Sequence, residues 1–357
     1  MVLDLTASSA DITRAICDVP SVSGDEKTLA DLIEEAVSGL PHLEVIRHGN
    51  TVVARTDLGR AQRVAIAGHI DTVPLNDNLP TRDVEIDGVP HLWGRGTVDM
   101  KAGVAVQLKL AAELTDPAID VTWMWYDNEE VAASLNGLGL LAAARPDLFQ
   151  ADFAILGEPS NGQVEGGCNG TLRAIVRTTG VRAHSARAWI GENAIHRAAP
   201  ILTRLSEYRA REVMVEGLLY REGLSAVRIA GGVAGNVIPD ACEVEVNYRF
   251  APNKSAADAE AHVRAVLAGF DVEITDAAEG ARPGLDADIA RRFVAAVGAE
   301  PQPKYGWTDV ARFSALGIPA VNYGPGDPHL AHHDEERVPL AQIDAVERGL
   351  RAWLTSH

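Results

Sequence analysis

"RVAIAGHIDTVP", residues 63–74, runs an apolar stretch into a histidine and an aspartate two positions apart, and then into a proline. The stretch reads as a strand buried on both faces, and a buried strand that ends in chargeable side chains must supply partners for them. Other segments repeat the form. "IDVTWMWYDNEE" (119–130) enters three acidic residues, "ADFAILGEPS" (151–160) ends near Glu158, and "GIPAVNYGPGD" (317–327) leads towards His332. Helical spacing lies before and between them, in "GDEKTLADLIEEAVSGL" (24–40), "DMKAGVAVQLKLAAEL" (99–114) and "GLGLLAAARPDLF" (137–149). "LEVIRHGNTVVARTD" (43–57) reads as two strands about Gly49-Asn50. Apolar strands alternating with helices predict an α/β fold with a mostly parallel central sheet, whose ligands gather beyond the C-terminal strand ends.

The pattern changes near residue 170. "GTLRAIVRTTGVRAHS" (170–185), "SAVRIAGG" (225–232) and "ACEVEVNYRFAP" (241–252) alternate polar and apolar residues, as half-exposed antiparallel strands do, with a helix pattern at "AADAEAHVRAVLAG" (256–269). From about residue 284 the first style returns with "ADIARRFVAAVG" (287–298). The expected organisation is a catalytic domain in two parts, 1–171 and 284–357, interrupted by a smaller inserted α+β domain over 172–283.

A length of 357 residues suits about two domains of roughly 100–200 residues each. The formal net charge of −18 argues against nucleic acid or an anionic membrane as the main partner, since both require a positive surface. Cys17, Cys168 and Cys242 show no CxxC spacing, so neither a disulfide framework nor a thiolate zinc site is indicated. The opening residues lack the basic and apolar regions of a signal peptide, and no apolar run approaches a membrane span; a cytoplasmic protein is expected.

Five side chains are placed by this reading at or just after strand ends: His69, Asp99, Glu130, Glu158 and His332. Singly, each has an ordinary explanation as a turn or hydrogen-bonded residue. Together they would converge on one rim of a parallel sheet. Imidazoles mixed with carboxylates suit zinc, or cobalt or manganese in its place, and two imidazoles with three carboxylates suffice for two ions if one carboxylate bridges. Asp71, two residues from His69 in extended chain, is positioned to accept the second ring N–H. Of the pair Glu129-Glu130, one is expected to bind metal and the other to remain a proton acceptor.

"GHIDTVP", "WGRGTVDMKAG", "DNEE", "LGEPS" and "AHHDEE", in this order, resemble the M20 metallopeptidase family of di-zinc amidohydrolases. The resemblance implies that His69 binds one zinc, Asp99 bridges both, Glu130 and Glu158 hold one each, and His332 completes the second. It assigns the acid/base role to Glu129, and it implies a cis peptide between Asp99 and Met100. In the insert, "VRAHSARAWIGENAIH" is similar to the segment whose histidine, here His184, enters the partner subunit's site in dimeric members. "AGNVIPD" and "VNYRF" are similar to segments that supply a substrate-binding Asn236 and Arg249, and "GWTDVARF" brings Thr308 and Arg312. Cys168-Asn169 stand where other members carry paired arginines. The resemblance implies a small anionic N-acyl amino acid as substrate, N-succinyl-LL-2,6-diaminopimelate, for which Arg182, Arg187, Arg249 and Arg312, in or beside these motifs, are expected as carboxylate receptors. An acetyl-removing or carboxypeptidase-like member of the family is the alternative, and a non-catalytic metal-dependent binding protein is the reading from another class.

Overall fold

The computed structural model describes residues 2–356. The chain makes two compact units. One comprises the chain up to Gly166, Pro283–Gln302 and everything from Arg312; the other comprises Gly167–Arg282 and Pro303–Ala311. The strand Gly170–Thr179 lies whole within the second unit, so the division falls a few residues before 172. Residues 303–311 also join the second unit, although the sequence reading places them with the resumed catalytic domain. Local bonds account for this: Asn169 N–H donates to the Lys304 carbonyl at 3.1 Å, and the Trp307 indole N–H to the Glu279 carbonyl at 3.1 Å.

In the first unit the strands Glu44–His48, Thr51–Arg55, Asp120–Tyr126, Arg63–His69, Phe153–Leu156 and Ala320–Asn322 lie side by side in that order. The last four run parallel, and the first two are antiparallel additions at one edge. Every residue of Asp120–Tyr126 and of Phe153–Leu156 is buried, as a sheet covered on both faces requires. The helix Lys101–Glu113 is buried around nearly its whole circumference and packs on Arg63–His69 and on the helices Ser9–Cys17 and Leu340–Leu354. Even its lysine is inside. Lys101 Nζ donates to the carbonyls of Ile16 and Val19 at 3.2 and 3.1 Å, so its charge meets the negative C-terminal end of Ser9–Cys17.

This helix sits unusually close to the sheet. A Cβ on Gly103 would stand 2.1 Å from the Gly157 carbonyl oxygen, and one on Gly324 would stand 2.1 Å from the same atom. Three glycines therefore set the contact between helix, strand end and the following loop.

In the second unit the strands Gly223–Gly231, Ala241–Phe250, Gly170–Thr179 and Asp271–Ala278 form an antiparallel sheet in that order. Leu172, Ala174 and Val176 alternate with more exposed residues, as do Val244, Val246 and Tyr248, and the helices Ala194–Ser206 and Ala256–Val266 pack on that apolar face. From Ser225 onward, every residue of Gly223–Gly231, the edge strand, is exposed.

Candidate metal centre

Separate elements of the first unit deliver the chargeable side chains. His69 closes the strand Arg63–His69 and is buried. Its Nδ1 donates to the Asp71 main-chain carbonyl at 3.0 Å, which leaves Nε2 facing Asp99 Oδ1 at 3.1 Å. The sequence reading gives the Nδ1 bond to the Asp71 carboxylate; that carboxylate lies farther off, at 3.5 Å. Its shorter bonds go elsewhere. Asp71 Oδ1 accepts the Glu129 N–H at 3.0 Å, and Oδ2 accepts the Glu130 N–H at 3.1 Å and the Ser23 hydroxyl at 2.7 Å. Asn128, at φ 58°, turns the chain after Asp120–Tyr126 so that two successive N–H groups meet one carboxylate.

Glu158 follows Phe153–Leu156 and is buried, as the sequence predicts. Asp99 and His332 are placed differently from the expectation. Asp99 precedes the helix Lys101–Glu113 rather than closing a strand, and His332 stands in a loop at φ 64°, well beyond Ala320–Asn322; the Asp99–Met100 peptide is cis, as the resemblance implies. A second support fixes Asp99: the N–H groups of Val98 and Asp99 both donate to Glu336 Oε1, at 2.9 and 3.0 Å, and Arg95 binds the other oxygen at 2.9 Å. Burial, reinforced by the charge of Asp99, pushes the Glu336 carboxyl up to about 7 despite those bonds. Ser23, Arg95 and Glu336 were not among the residues assigned a role from sequence. The arginine inside "WGRG" and the glutamate four residues after His332 are the signals that could have found the last two.

His332 Nε2 lies 2.9 Å from Glu130 Oε1 and 3.3 Å from Asp99 Oδ2. Three groupings bring ligand atoms within 4.8 Å of one another: His69, Asp99 and Glu158; Asp99, Glu130 and His332; and His69, Glu129 and Glu130. The first two share Asp99, whose Oδ1 faces the first imidazole and whose Oδ2 faces the second. One nitrogen and two carboxylates in each triad is a donor set that suits a borderline divalent ion.

The electrostatics agree. Burial alone would lower the His69 pKa, but hydrogen bonds and charge from Asp71 and Asp99 hold it well above its ordinary value. Asp99 and Glu130 raise His332 to about 10. Burial would raise Asp99, yet the two imidazoles hold it well below the usual carboxylate range. The field that keeps protons on these imidazoles is the field a divalent cation would meet, and binding one would release them.

The other predicted residues fall as follows. Arg312 belongs to the first unit, where its guanidinium lies against Gly139. In the second unit His184 is exposed, in a two-residue ladder with Val237, and its Nδ1 accepts the Ala186 N–H at 3.0 Å. That bond leaves the neutral ring's proton on Nε2. Asn236 is adjacent, its carbonyl accepting the Ser185 N–H at 2.8 Å. Arg182 pairs with Asp240 at 2.9 Å, Arg187 is exposed in the turn after His184, Thr308 is buried, and Arg249 is half-buried.

A mixed sheet with a parallel centre, clustered carboxylates and imidazoles able to hold metal, and an inserted antiparallel unit are the features of a metal-dependent hydrolase. Residues 65–356 match peptidase family M20/M25/M40, and the chain belongs to that family. It is 54% identical over 355 residues to a Mycobacterium tuberculosis protein assigned as a succinyl-diaminopimelate desuccinylase, covering 99% of each chain. Against the succinyl-diaminopimelate desuccinylase of Corynebacterium glutamicum it is 48% identical over 364 residues, covering 99% of this chain and 98% of that one. Among solved structures a Staphylococcus aureus tripeptidase superposes with a TM-score of 0.79 at 19% identity, covering 99% of both chains. An M20 family metallo-carboxypeptidase from Sulfolobus solfataricus gives 0.76 at 16% identity, over 98% of this chain and 99% of that one.

Proposed function

We propose that this chain hydrolyses the amide bond of N-succinyl-LL-2,6-diaminopimelate, releasing succinate and LL-2,6-diaminopimelate, with two zinc ions held by His69, Asp99, Glu130, Glu158 and His332. The observation that carries the chemistry is the division of Asp99: one oxygen faces each triad, as a shared carboxylate requires. The full-length likeness to desuccinylases of two organisms supports the substrate. Bound divalent ions supply polarisation of the amide carbonyl and acidification of water.

The protein's own groups do the rest. Glu129 accepts the proton of the attacking water and returns it to the departing amine; its backbone is fixed by Asp71, so the carboxylate starts from one position. His184, with its proton on Nε2, donates to the oxygen on which charge develops. Arg182, Arg187, Arg249 and Arg312, with Asn236 and Thr308, orient the substrate carboxylates. Of these, Arg182 must exchange Asp240 for substrate.

The chain acts as a homodimer joined through the inserted unit. Support comes from the edge strand Gly223–Gly231, which leaves Val227 and Ile229 exposed beside exposed Ile195 and Leu202 of the packed helix. An edge of this kind pairs with its own copy across a two-fold axis. Among the described residues no helix is long and apolar enough to cross a membrane.

The test is a hydrolysis panel of the succinyl substrate, N-acetylornithine and dipeptides with zinc supplied. The succinyl compound should be preferred on the order of a hundredfold or more in kcat/KM, because an acetyl group leaves an arginine unpaired. Equal values for succinyl and acetyl compounds would refute the assignment. Chelation should abolish activity and zinc should restore it.

A further inference from the structure

On the sheet of the second unit, the face opposite the helices carries Thr171, Arg173, Ile175 and Arg177 from one central strand and Arg249, Asn247, Glu245 and Glu243 from the other, paired in that order. At one end the charges are matched. Arg177 bonds Glu243 at 2.8 Å and also Glu273, and Arg228 bonds Glu245 at 3.0 Å. At the other end they are not. Arg249 stands directly opposite Thr171 and Arg173 directly opposite Asn247, so the two guanidiniums are diagonal neighbours on one face, within reach of each other.

Neither arginine makes an ion pair or side-chain hydrogen bond among the described residues. Asp276 faces Arg173 across the next strand, beyond a bulge, without forming one. Like charges on adjacent strands repel, and burial adds to the cost for Arg249, whose guanidinium is destabilised first by burial and then by Arg173. A protein with 50 acidic and 32 basic side chains does not lack carboxylates to place there. The surroundings are instead uncharged polar groups and free space: Ser225 flanks the arginines, as do Thr171 and Asn247, whose amide donates to the Thr171 hydroxyl at 3.3 Å, and a Cβ on Gly223, the residue paired with Arg249, would touch nothing within 4 Å.

We infer that Arg173 and Arg249 together form a carboxylate receptor and that Arg173, outside every motif that marks the site, is a specificity-determining residue for a substrate carboxylate. Two guanidiniums on one face beside hydroxyl and amide groups offer the forked donors that a carboxylate accepts from. That the occupant is the succinyl carboxylate rests on the function proposed above.

The experiment measures succinate binding to the zinc-loaded enzyme by calorimetry, and KM and kcat for the succinyl substrate, in wild type, R173Q, R173K and R177Q. R173Q should weaken succinate and raise KM by about ten- to a hundredfold with kcat little changed, the loss of one charge-assisted bond. R173K should recover part of this, and R177Q, on the same face but already paired, should match wild type. No succinate binding by wild type, an R173Q enzyme equal to wild type, or R177Q as damaged as R173Q overturns the receptor. Failure of the two readings is separable. An enzyme that binds succinate through Arg173 without cleaving the succinyl compound keeps the receptor and refutes the function. One that cleaves it with R173Q unimpaired does the reverse.

Discussion

Glu129 and Glu130 are chemically identical neighbours, and in the function proposed above only what surrounds them divides their work. Glu130 touches His332 at 2.9 Å and belongs to the triad with Asp99. Glu129→Gln should therefore retain two metal ions by elemental analysis and lose activity on the order of a hundredfold or more, since it removes a proton acceptor. Glu130→Gln should lose metal first, and equal metal loss in both variants would abolish the distinction. Asp71 controls both residues at once, because each of its oxygens holds one of their N–H groups. Asp71→Asn keeps the shape but replaces one acceptor oxygen with a donor, leaving one of those N–H groups facing an amide nitrogen. It should weaken metal binding and kcat together by about ten- to a hundredfold, as loss of a ligand-orienting group does; competition with a chromogenic chelator measures the first and steady-state rates the second.

At the scale of the element, the helix Lys101–Glu113 converts three glycines into a position for Asp99. Helix propensity alone says that Gly103→Ala should stabilise by up to about 1 kcal/mol. The contact with the Gly157 carbonyl reverses the sign: a Cβ 2.1 Å from that oxygen forces the helix outward, at a cost of about 1–3 kcal/mol, and carries Asp99 away from Glu158. Thermal unfolding should show a lower midpoint and metal titration a weaker site.

The second unit has its own anchor in Glu222, buried at 3% exposure, which accepts from Ala251 N–H at 3.0 Å, Tyr248 Oη at 3.1 Å and Lys254. Burial would raise its pKa, but the Ala251 and Lys254 bonds win and lower it. A depressed folded-state value means stability that is present above the unfolded pKa of about 4.3 and is lost as pH falls through the folded one. Glu222→Gln should cost ~3 kcal/mol at pH 7 in urea unfolding, and the gap to wild type should close below about pH 4. Elements of this kind differ in how plainly the sequence announces them. The parallel strands and His69, Glu130 and Glu158 were legible because burial and strand ends leave a local pattern. The local pattern did not place Asp99 before a helix or His332 in a left-handed loop, and the cis Asp99–Met100 peptide was expected from the family resemblance alone. The hairpin Arg82–Ile86 to Val89–Trp93 went unread although Asp87-Gly88, both at positive φ, is a turn signal that could have found it.

For the whole molecule the decisive question is which chain completes which site. If His184 serves the partner's metal centre, mixing Glu129→Gln with His184→Ala subunits should restore activity. With free exchange about half the dimers are mixed and each holds one intact site, giving roughly a quarter of wild-type activity from the isologous geometry. No recovery despite proven exchange would place His184 in its own chain's site or outside it. The two-part first unit also has a consequence in time. His69, Asp99, Glu130 and Glu158 all precede the insert, whereas His332 and Glu336, the support of Asp99, follow it. On a ribosome adding about 5–20 residues per second, roughly 170 residues separate Glu158 from His332, a delay on the order of ten seconds or more. The growing chain therefore exposes a crowded group of carboxylates long before their second histidine is made, and the group around Asp99 can be completed only after the insert has been synthesised.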